Sequence, residues 1–487
     1  MTITDQETSE LRALCPGATY TRSDDEFSTK SAPWSVWADR HPQLVVEPRD
    51  LPTMQQVVKY LHTHKDIDFC IGNTGTGGAS ASDVCPSMHG FKDFLWEPST
   101  ATVTLGAGWS WGEVDKLMEE KTDSYACLFP RGTWVGVTGG ALVGGLSWLS
   151  HEHGMISDPQ NLLDAQVVLR AGRTVWAAKQ EPDLMWALRV GGGNFGVVTA
   201  PKMHAKKVPK DIFAGIISIP YSSLAETSKA VAAMHARPSD PKVAMHITNQ
   251  GPGMGTPDQG AKPNIAIMPI DFHGEAHARS EEGFAWAWNL PGAVETVGTS
   301  CSFKDVNALA DSFKNYQGKN MFWLSAPLIS SLDPQTLIRA FKWYEDSYHL
   351  HHAFGTGSTV LLEFMQEPAF NSTPSKTSTA WPRGRGRRHV MQLVLGCDPN
   401  EHPKNGMGIR ELVMKRFEEA GLEIGGREAW MGEWHAGFLH EWNDLEEVFG
   451  ENWGRLREVK KFHDPGNRFD KGVDLADGWV TRGSNMA

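Results

Sequence analysis

Glycine gathers at two places in this sequence where an extended run gives way to a loop. The first is Gly72-Asn73-Thr74-Gly75-Thr76-Gly77-Gly78, directly after the apolar run Asp68–Ile71. The second runs from Gly132 to Gly145 and contains Gly136, Thr138, Gly139, Gly140, Gly144 and Gly145. With no side chain in the way, backbone N–H groups in such loops turn inward and ring an anion. Two of them in one region suit the pyrophosphate of a dinucleotide, although each alone also serves an ordinary tight turn. A third stretch, Gly191-Gly192-Gly193-Asn194-Phe195-Gly196, spells GxGxxG letter for letter. That motif binds a dinucleotide only when it follows a strand and opens a helix. Here a helical pattern precedes it and the extended run Gly196–Thr199 follows, so a nicotinamide site of that kind is rejected.

Candidates for proton chemistry lie far downstream. In Leu361-Leu362-Glu363-Phe364-Met365-Gln366-Glu367 the two carboxylates share one face of a strand by period two. A carboxylate in an apolar pocket has a raised pKa and works as a general base, and Glu363 is the preferred one. Glu367 beside Pro368 reads equally well as a solvated strand end. His273 and Trp381 are further pocket candidates. His151 and His153 flank Glu152, but a third metal ligand is missing, so packing or hydrogen bonding is the preferred reading. The six cysteines are scattered with no CxxC pair, and no metal site or disulfide framework is expected.

The elements that must position these residues follow from periodicity. Leu44–Pro48 is extended, Leu51–His62 has helical apolar spacing, and Asp68–Ile71 then opens onto the first glycine loop: a βαβ beginning. A strand at Thr102–Gly106 and a helix at Trp111–Glu120 precede the second loop. Asp164–Leu169 and Thr174–Ala177 flank a turn as a hairpin, and Asp183–Val190 is a short helix. From about Lys210 strands (Ile212–Ile219, Val243–Thr248, Asn264–Phe272, Thr359–Phe364, His389–Leu395) mix with helices (Ser223–His235, Glu275–Trp288, Arg410–Ala420, Glu446–Phe462). This second region reads as α+β with an antiparallel sheet.

A length of 487 residues exceeds one hydrophobic core. The formal charge of -12 argues against a polyanion, so no nucleic-acid partner is expected. The run Arg383–Arg388 reads as a solvated loop. A polar, acidic start and the lack of any stretch near the ~20 apolar residues of a membrane span point to a cytoplasmic chain with no membrane partner. Oligomeric state is not legible.

Taken in order, these segments resemble FAD-linked oxidases of the berberine-bridge and vanillyl-alcohol-oxidase class. The resemblance rests on Asn73-Thr74-Gly75; on Gly106-Ala107-Gly108-Trp109-Ser110-Trp111-Gly112; and on Val135-Gly136-Val137-Thr138-Gly139-Gly140. It continues through Asp183-Leu184-Met185-Trp186-Ala187-Leu188-Arg189 into Gly191–Thr199, and through Gly450-Glu451-Asn452, Arg455-Leu456, Lys460 and Asp464-Pro465-Gly466-Asn467-Arg468-Phe469. It implies a two-part FAD-binding domain of the vanillyl-alcohol-oxidase type, residues 1–205 completed by 430–487. Residues 206–429 would form a substrate domain with an antiparallel sheet covered by helices. The implied FAD contacts are Gly72, Asn73, Thr74, Gly75, Thr76 and Gly77 at the phosphates, and Gly136, Thr138, Gly139, Gly140, Gly144 and Gly145 along the flavin. Gly154 and Asp158 join them, with Gly196 and Val197 near the adenine and Asn467 near the ring. The partner would be a small-molecule substrate.

The chain departs from that class at two positions. Thr76 stands where the class has the histidine that bonds a flavin methyl carbon, and Trp134 falls near its flavin-bonding cysteine. A threonine hydroxyl is too basic and an indole too inert for that linkage, so FAD is expected to be non-covalent. Three readings stay open: an FAD oxidase of a small apolar or aromatic metabolite, a redox-neutral cyclase on the same scaffold, and a non-catalytic binding protein.

Overall fold

The computed structural model describes residues 3–251 and 263–476, except 320, 352, 355, 356, 385, 387, 399, 401–407 and 441. Near the N-terminus, Asp50 caps the helix Leu51–Thr63 by accepting the Thr53 amide, and Met54, Val57, Val58 and Leu61 bury one face. The preceding strand, Leu44–Val46, pairs in parallel with Val84–Pro86, as a βαβ unit requires. The apolar run expected to be that second strand instead flanks Val84–Pro86 on its other side. Parallel bridges join Phe69 to Val84 and Gly72 to Ser87, so the first glycine loop hangs from a sheet edge.

A five-stranded antiparallel sheet follows, in the order Phe94–Glu97, Thr102–Leu105, Val197–His204, Leu162–Val168 and Thr174–Trp176. The expected hairpin is its last pair. Ser110 and Glu113 form a capping box that starts the helix Trp111–Lys121. The second glycine segment is not loop throughout, since Val137–Leu142 is helical.

The second half of the chain builds a nine-stranded sheet, antiparallel at every described pairing. Its order is Val294–Cys301, Ile212–Ile219, Asn264–Asp271, Val243–Gln250, Thr359–Phe364, His389–Cys397, Pro327–Ile329 and Trp430–Trp434, with Met321–Ser325 also on His389–Cys397. Side-chain alternation splits the two faces between two cores. Val360, Leu362, Phe364, Met391, Leu393 and Leu395 pack against the helices Leu224–His235, Thr336–Leu350, Ile409–Glu418 and Ala420–Ala429. Ala214, Ala244, Ile270 and Val390 instead share a core with the N-terminal half. The sheet is therefore a wall between two layers.

Several boundaries differ from the sequence reading. The expected helix 275–288 is two single turns, Glu275–Ala278 and Ala285–Trp288. A Cβ at Gly283 between them would run into the carbonyl oxygens of His277 and Ala278. The expected helix 446–462 breaks at Gly450, whose φ of 46° suits glycine, into Leu445–Phe449 and Trp453–His463. The strand Trp430–Trp434 of the large sheet lies beyond the expected boundary at residue 429.

The last helix returns to the N-terminal half. Lys460, only 2% exposed, spends its ammonium protons on the Asn194 carbonyl (2.8 Å), Asp464 (2.6 Å) and the Phe469 carbonyl (2.9 Å). Arg468 donates to the carbonyls of Leu61, His64, Lys65 and Ile67, closing the end of the helix Leu51–Thr63. Among the described residues no helix is long and apolar enough to cross a membrane.

Candidate functional site

The two glycine segments meet. Asn73 donates its side-chain amide to the carbonyls of Ala107 (2.7 Å) and Trp109 (3.2 Å), and a Cβ on Gly136 would come within 2.6 Å of that nitrogen. In the first loop Gly75 has a φ of 72°, and its carbonyl accepts the Trp34 amide. The amides of Asn73, Thr74, Gly75, Thr76 and Gly77 find no acceptor among the described residues. Five consecutive unspent N–H groups, half-exposed at a sheet edge, are what a pyrophosphate needs. The space where a Cβ would stand on Gly77 or Gly139 is empty. Among the described residues the buried Asn73 Oδ1 and Asn467 Oδ1 also find no partner. On these grounds the residues fit the expected FAD.

Thr76 and Trp134 are both already engaged. Thr76 shares a hydrogen bond with Thr74 (3.1 Å). The Trp134 indole stacks on Trp34, with centroids 5.0 Å apart and planes at 23°. A cysteine does lie against the loop: a Cβ on Gly72 would clash with the Cys85 sulfur. Burial pushes that thiol up to about 12, so it is not a nucleophile at neutral pH.

The face of the large sheet turned to the N-terminal half carries Glu363, His246 and Gln392. Glu363, fully buried, accepts from the Arg131 guanidinium on one oxygen and from the Gln392 amide on the other. Arg131 also lies over the Trp148 ring (5.3 Å), and Trp148 packs on His246 (4.2 Å). Burial, then the charge of Arg131, then His151 hold the His246 pKa well below its usual value, so the ring is neutral at neutral pH. Arg131 Nη1, Trp148 Nε1 and His246 Nε2 are buried and have no partner among the described residues. Unsatisfied groups of this kind, clustered at one interface, mark a place for a polar ligand group.

The structure corrects several sequence expectations. Glu363 is not in an apolar pocket but in an ion pair. Glu367 lies beyond the strand, which ends at Phe364; it is exposed and has helical backbone angles. His273 is half-exposed and paired with Asp240, apart from the Arg131 cluster. Trp381 is buried beside Arg383 and His435. The arginine run is not solvated throughout: Arg383 and Arg388 are each 3% exposed, paired with Asp158 and Glu433. Asp158 is a buried counter-ion that also accepts the Met155 amide, and Gly154 (φ 84°) allows the chain to pass close to it. Gly144 and Gly145 serve close packing against Met155, Pro130 and Ile156, and Gly140 against Pro130. Gly196 lets the strand carrying the buried Val197 approach Val167 and Val168. Thr138 sits in the first turn of its helix. Asn467 has a φ of 47° and donates to Asp474. His151 accepts the Gln366 amide, a hydrogen-bonding role as expected. Arg131, Trp148, His246 and Gln392 were missed, because each sits in a segment with no motif of its own.

Residues 42–178 match a family model described as an FAD binding domain. The FAD-linked oxidoreductase pgmH of Aspergillus terreus is 25% identical over 484 residues, covering 95% of this chain and 94% of that protein. A xylooligosaccharide oxidase from Thermothelomyces thermophilus is 27% identical over 222 residues, 44% of each chain. Among solved structures, a berberine bridge enzyme variant in complex with (S)-reticuline superposes with a TM-score of 0.76 at 13% identity, covering 98% of this chain and 100% of that one. The xylooligosaccharide oxidase from Myceliophthora thermophila in complex with xylobiose gives 0.73 at 18% identity over 96% and 98%.

Proposed function

The chain carries an FAD-binding domain on the fold of berberine bridge enzyme; on that premise we propose that it holds FAD without a covalent bond and oxidises a small apolar or aromatic molecule. It is an FAD-linked oxidoreductase, as its relatives over nearly the whole chain are named. The observation that carries the non-covalent reading is the cradle from Asn73 to Gly77, which offers five free amides and Thr76 in place of a nucleophile. When bound, FAD supplies a two-electron acceptor for hydride from a substrate carbon.

This chain's own residues do the rest. The backbone amides of the first loop would hold the phosphates, and Asn73 fixes the second glycine segment against that loop. At the interface the Arg131–Glu363 pair sets a fixed charge arrangement, and Gln392 holds the carboxylate in place. His246, kept neutral by burial, offers Nε2 to a substrate hydroxyl, while the Trp148 ring gives a flat apolar contact. Because both Glu363 oxygens are occupied, its role is to position Arg131 rather than to remove a proton.

The test is the visible absorption spectrum of purified protein before and after acid precipitation. A yellow sample that releases FAD into the supernatant supports the proposal. Flavin that stays with the pellet overturns the non-covalent part. A colourless protein that cannot be reconstituted overturns the oxidoreductase reading and leaves the redox-neutral cyclase.

A further inference from the structure

At one end of the large sheet, three side chains unused by the site above come together. Asp240 lies in the turn into the strand Val243–Gln250, His273 follows the strand Asn264–Asp271, and His277 sits in the single turn Glu275–Ala278. One ligating atom from each lies within 4.8 Å of the other two. His273 Nε2 is 3.0 Å from Asp240 Oδ2, and the two imidazole centroids are 4.5 Å apart. Beneath them Asp271 is fully buried. One of its oxygens accepts from His277 Nδ1 (2.7 Å) and the other from the His273 backbone amide (2.9 Å). A buried carboxylate on one ring nitrogen keeps the proton there and leaves the lone pair on the other nitrogen for a ligand.

We propose that Asp240, His273 and His277 bind a divalent transition-metal ion, zinc or a similar borderline cation, with Asp271 positioning His277 from below. Two imidazoles and one carboxylate suit such an ion and not magnesium or calcium, which take oxygen ligands. Asp240 Oδ1 already accepts the Lys242 amide at 2.9 Å, which fixes the carboxylate and leaves Oδ2 for the metal. Binding exchanges the His273–Asp240 hydrogen bond for two bonds to the ion; a neutral His273 ring shifts its proton from Nε2 to Nδ1 through solvent, and a protonated ring releases its Nε2 proton to solvent. Solvent reaches the site, since the Asp240 and His273 side chains are each 38% exposed, and water completes the coordination shell. The ion would tie the entry of one strand to the exit of its neighbour.

The experiment uses the tag-free full chain, stripped with a chelator and titrated with cobalt(II) while the visible ligand-field absorption is followed. Zinc is then measured by competition with a chromogenic chelator. One saturable ion per chain is expected, lost in His273→Ala and in His277→Ala, with FAD content unchanged. Asp271→Asn should weaken binding about 10- to 100-fold, as loss of such a carboxylate does elsewhere. No saturable binding below millimolar cobalt, or binding that survives in the His273→Ala/His277→Ala double variant, overturns the proposal. Should Asp271→Asn fail to fold, the two histidine variants decide the question.

Discussion

Replacing Glu363 with leucine should destabilise the protein far more than replacing Glu363 and Arg131 together. The pair spans the two halves of the chain, and its side chains are 1% and 8% exposed. Removing the carboxylate strands a buried guanidinium, which costs about 3–5 kcal/mol. It also strips the Gln392 amide of its acceptor, roughly another 1 kcal/mol. These losses overlap, so Glu363→Leu is expected to cost about 4 kcal/mol. Arg131→Leu leaves the carboxylate with Gln392 alone and should cost about 3 kcal/mol on the same grounds. In the double variant no charge remains and well-packed apolar substitutes for a buried pair are near neutral, so only the roughly 1 kcal/mol of the stranded Gln392 amide persists. The coupling across the cycle should therefore exceed about 2 kcal/mol. The assay is urea unfolding followed by tryptophan fluorescence, fitted to the transition in which the interface is lost, since a chain of two cores need not unfold in one step. Single variants within about 1 kcal/mol of the parent, or a double variant equal to the sum of the singles, would refute the reasoning.

Burial raises the Asp115 pKa well above its unfolded value, and the otherwise unpartnered Asn307 Oδ1 beside it suits a protonated carboxyl. Between the two pKa values the folded chain binds more protons than the unfolded one, so stability falls as pH rises, at up to about 1.4 kcal/mol per pH unit. Asp115→Asn should gain on the parent as pH is raised from about 4, and a pH-independent difference in melting temperature counts against this. For His435 the sign is reversed: burial, with help from Arg383 and Arg131, lowers its pKa to about 3. Its stabilising contribution is present above the unfolded value near 6.5 and is lost as pH falls toward 3. His435→Asn should flatten the acid limb of the stability profile, and an unchanged limb would show that other groups set it. Lys460→Met should cost about 3 kcal/mol, the low end for a broken buried pair, because Asp464 keeps the Arg468 and Phe469 amides. A urea midpoint shift equivalent to less than about 1 kcal/mol would show that the ammonium is dispensable.

What the sequence made legible was local. The 3.6-period spacing of Leu51, Met54, Val57, Val58 and Leu61 marked the helix Leu51–Thr63, and clustered glycines marked both glycine segments, because helix periodicity and turn chemistry are written in nearby residues. Strand-like apolar runs marked five strands of the large sheet, while the short buried strand Pro327–Ile329 was missed. The edge strand Val294–Cys301, mostly exposed, showed no apolar alternation and was missed. The helix Thr336–Leu350 was missed too, although Leu337, Ala340, Phe341 and Tyr344 are spaced for one buried face. The Arg131–Trp148–His246–Glu363–Gln392 cluster draws on five separate segments, and only strand register makes Glu363 face His246. That information is tertiary, and no window along the chain contains it.

The return of the last helix has a consequence for how the chain is made. Arg468 binds carbonyls up to 407 residues earlier, and Lys460 binds one 266 residues earlier. A ribosome adding about 5–20 residues per second delivers Arg468 some 20–80 s after the helix it closes has emerged. For that interval the Leu61 carbonyl lacks its guanidinium, and for about 13–53 s the glycine turn at Asn194 lacks its buried cation. The half of the chain that is begun first is thus closed only after residues 460–468 have been made.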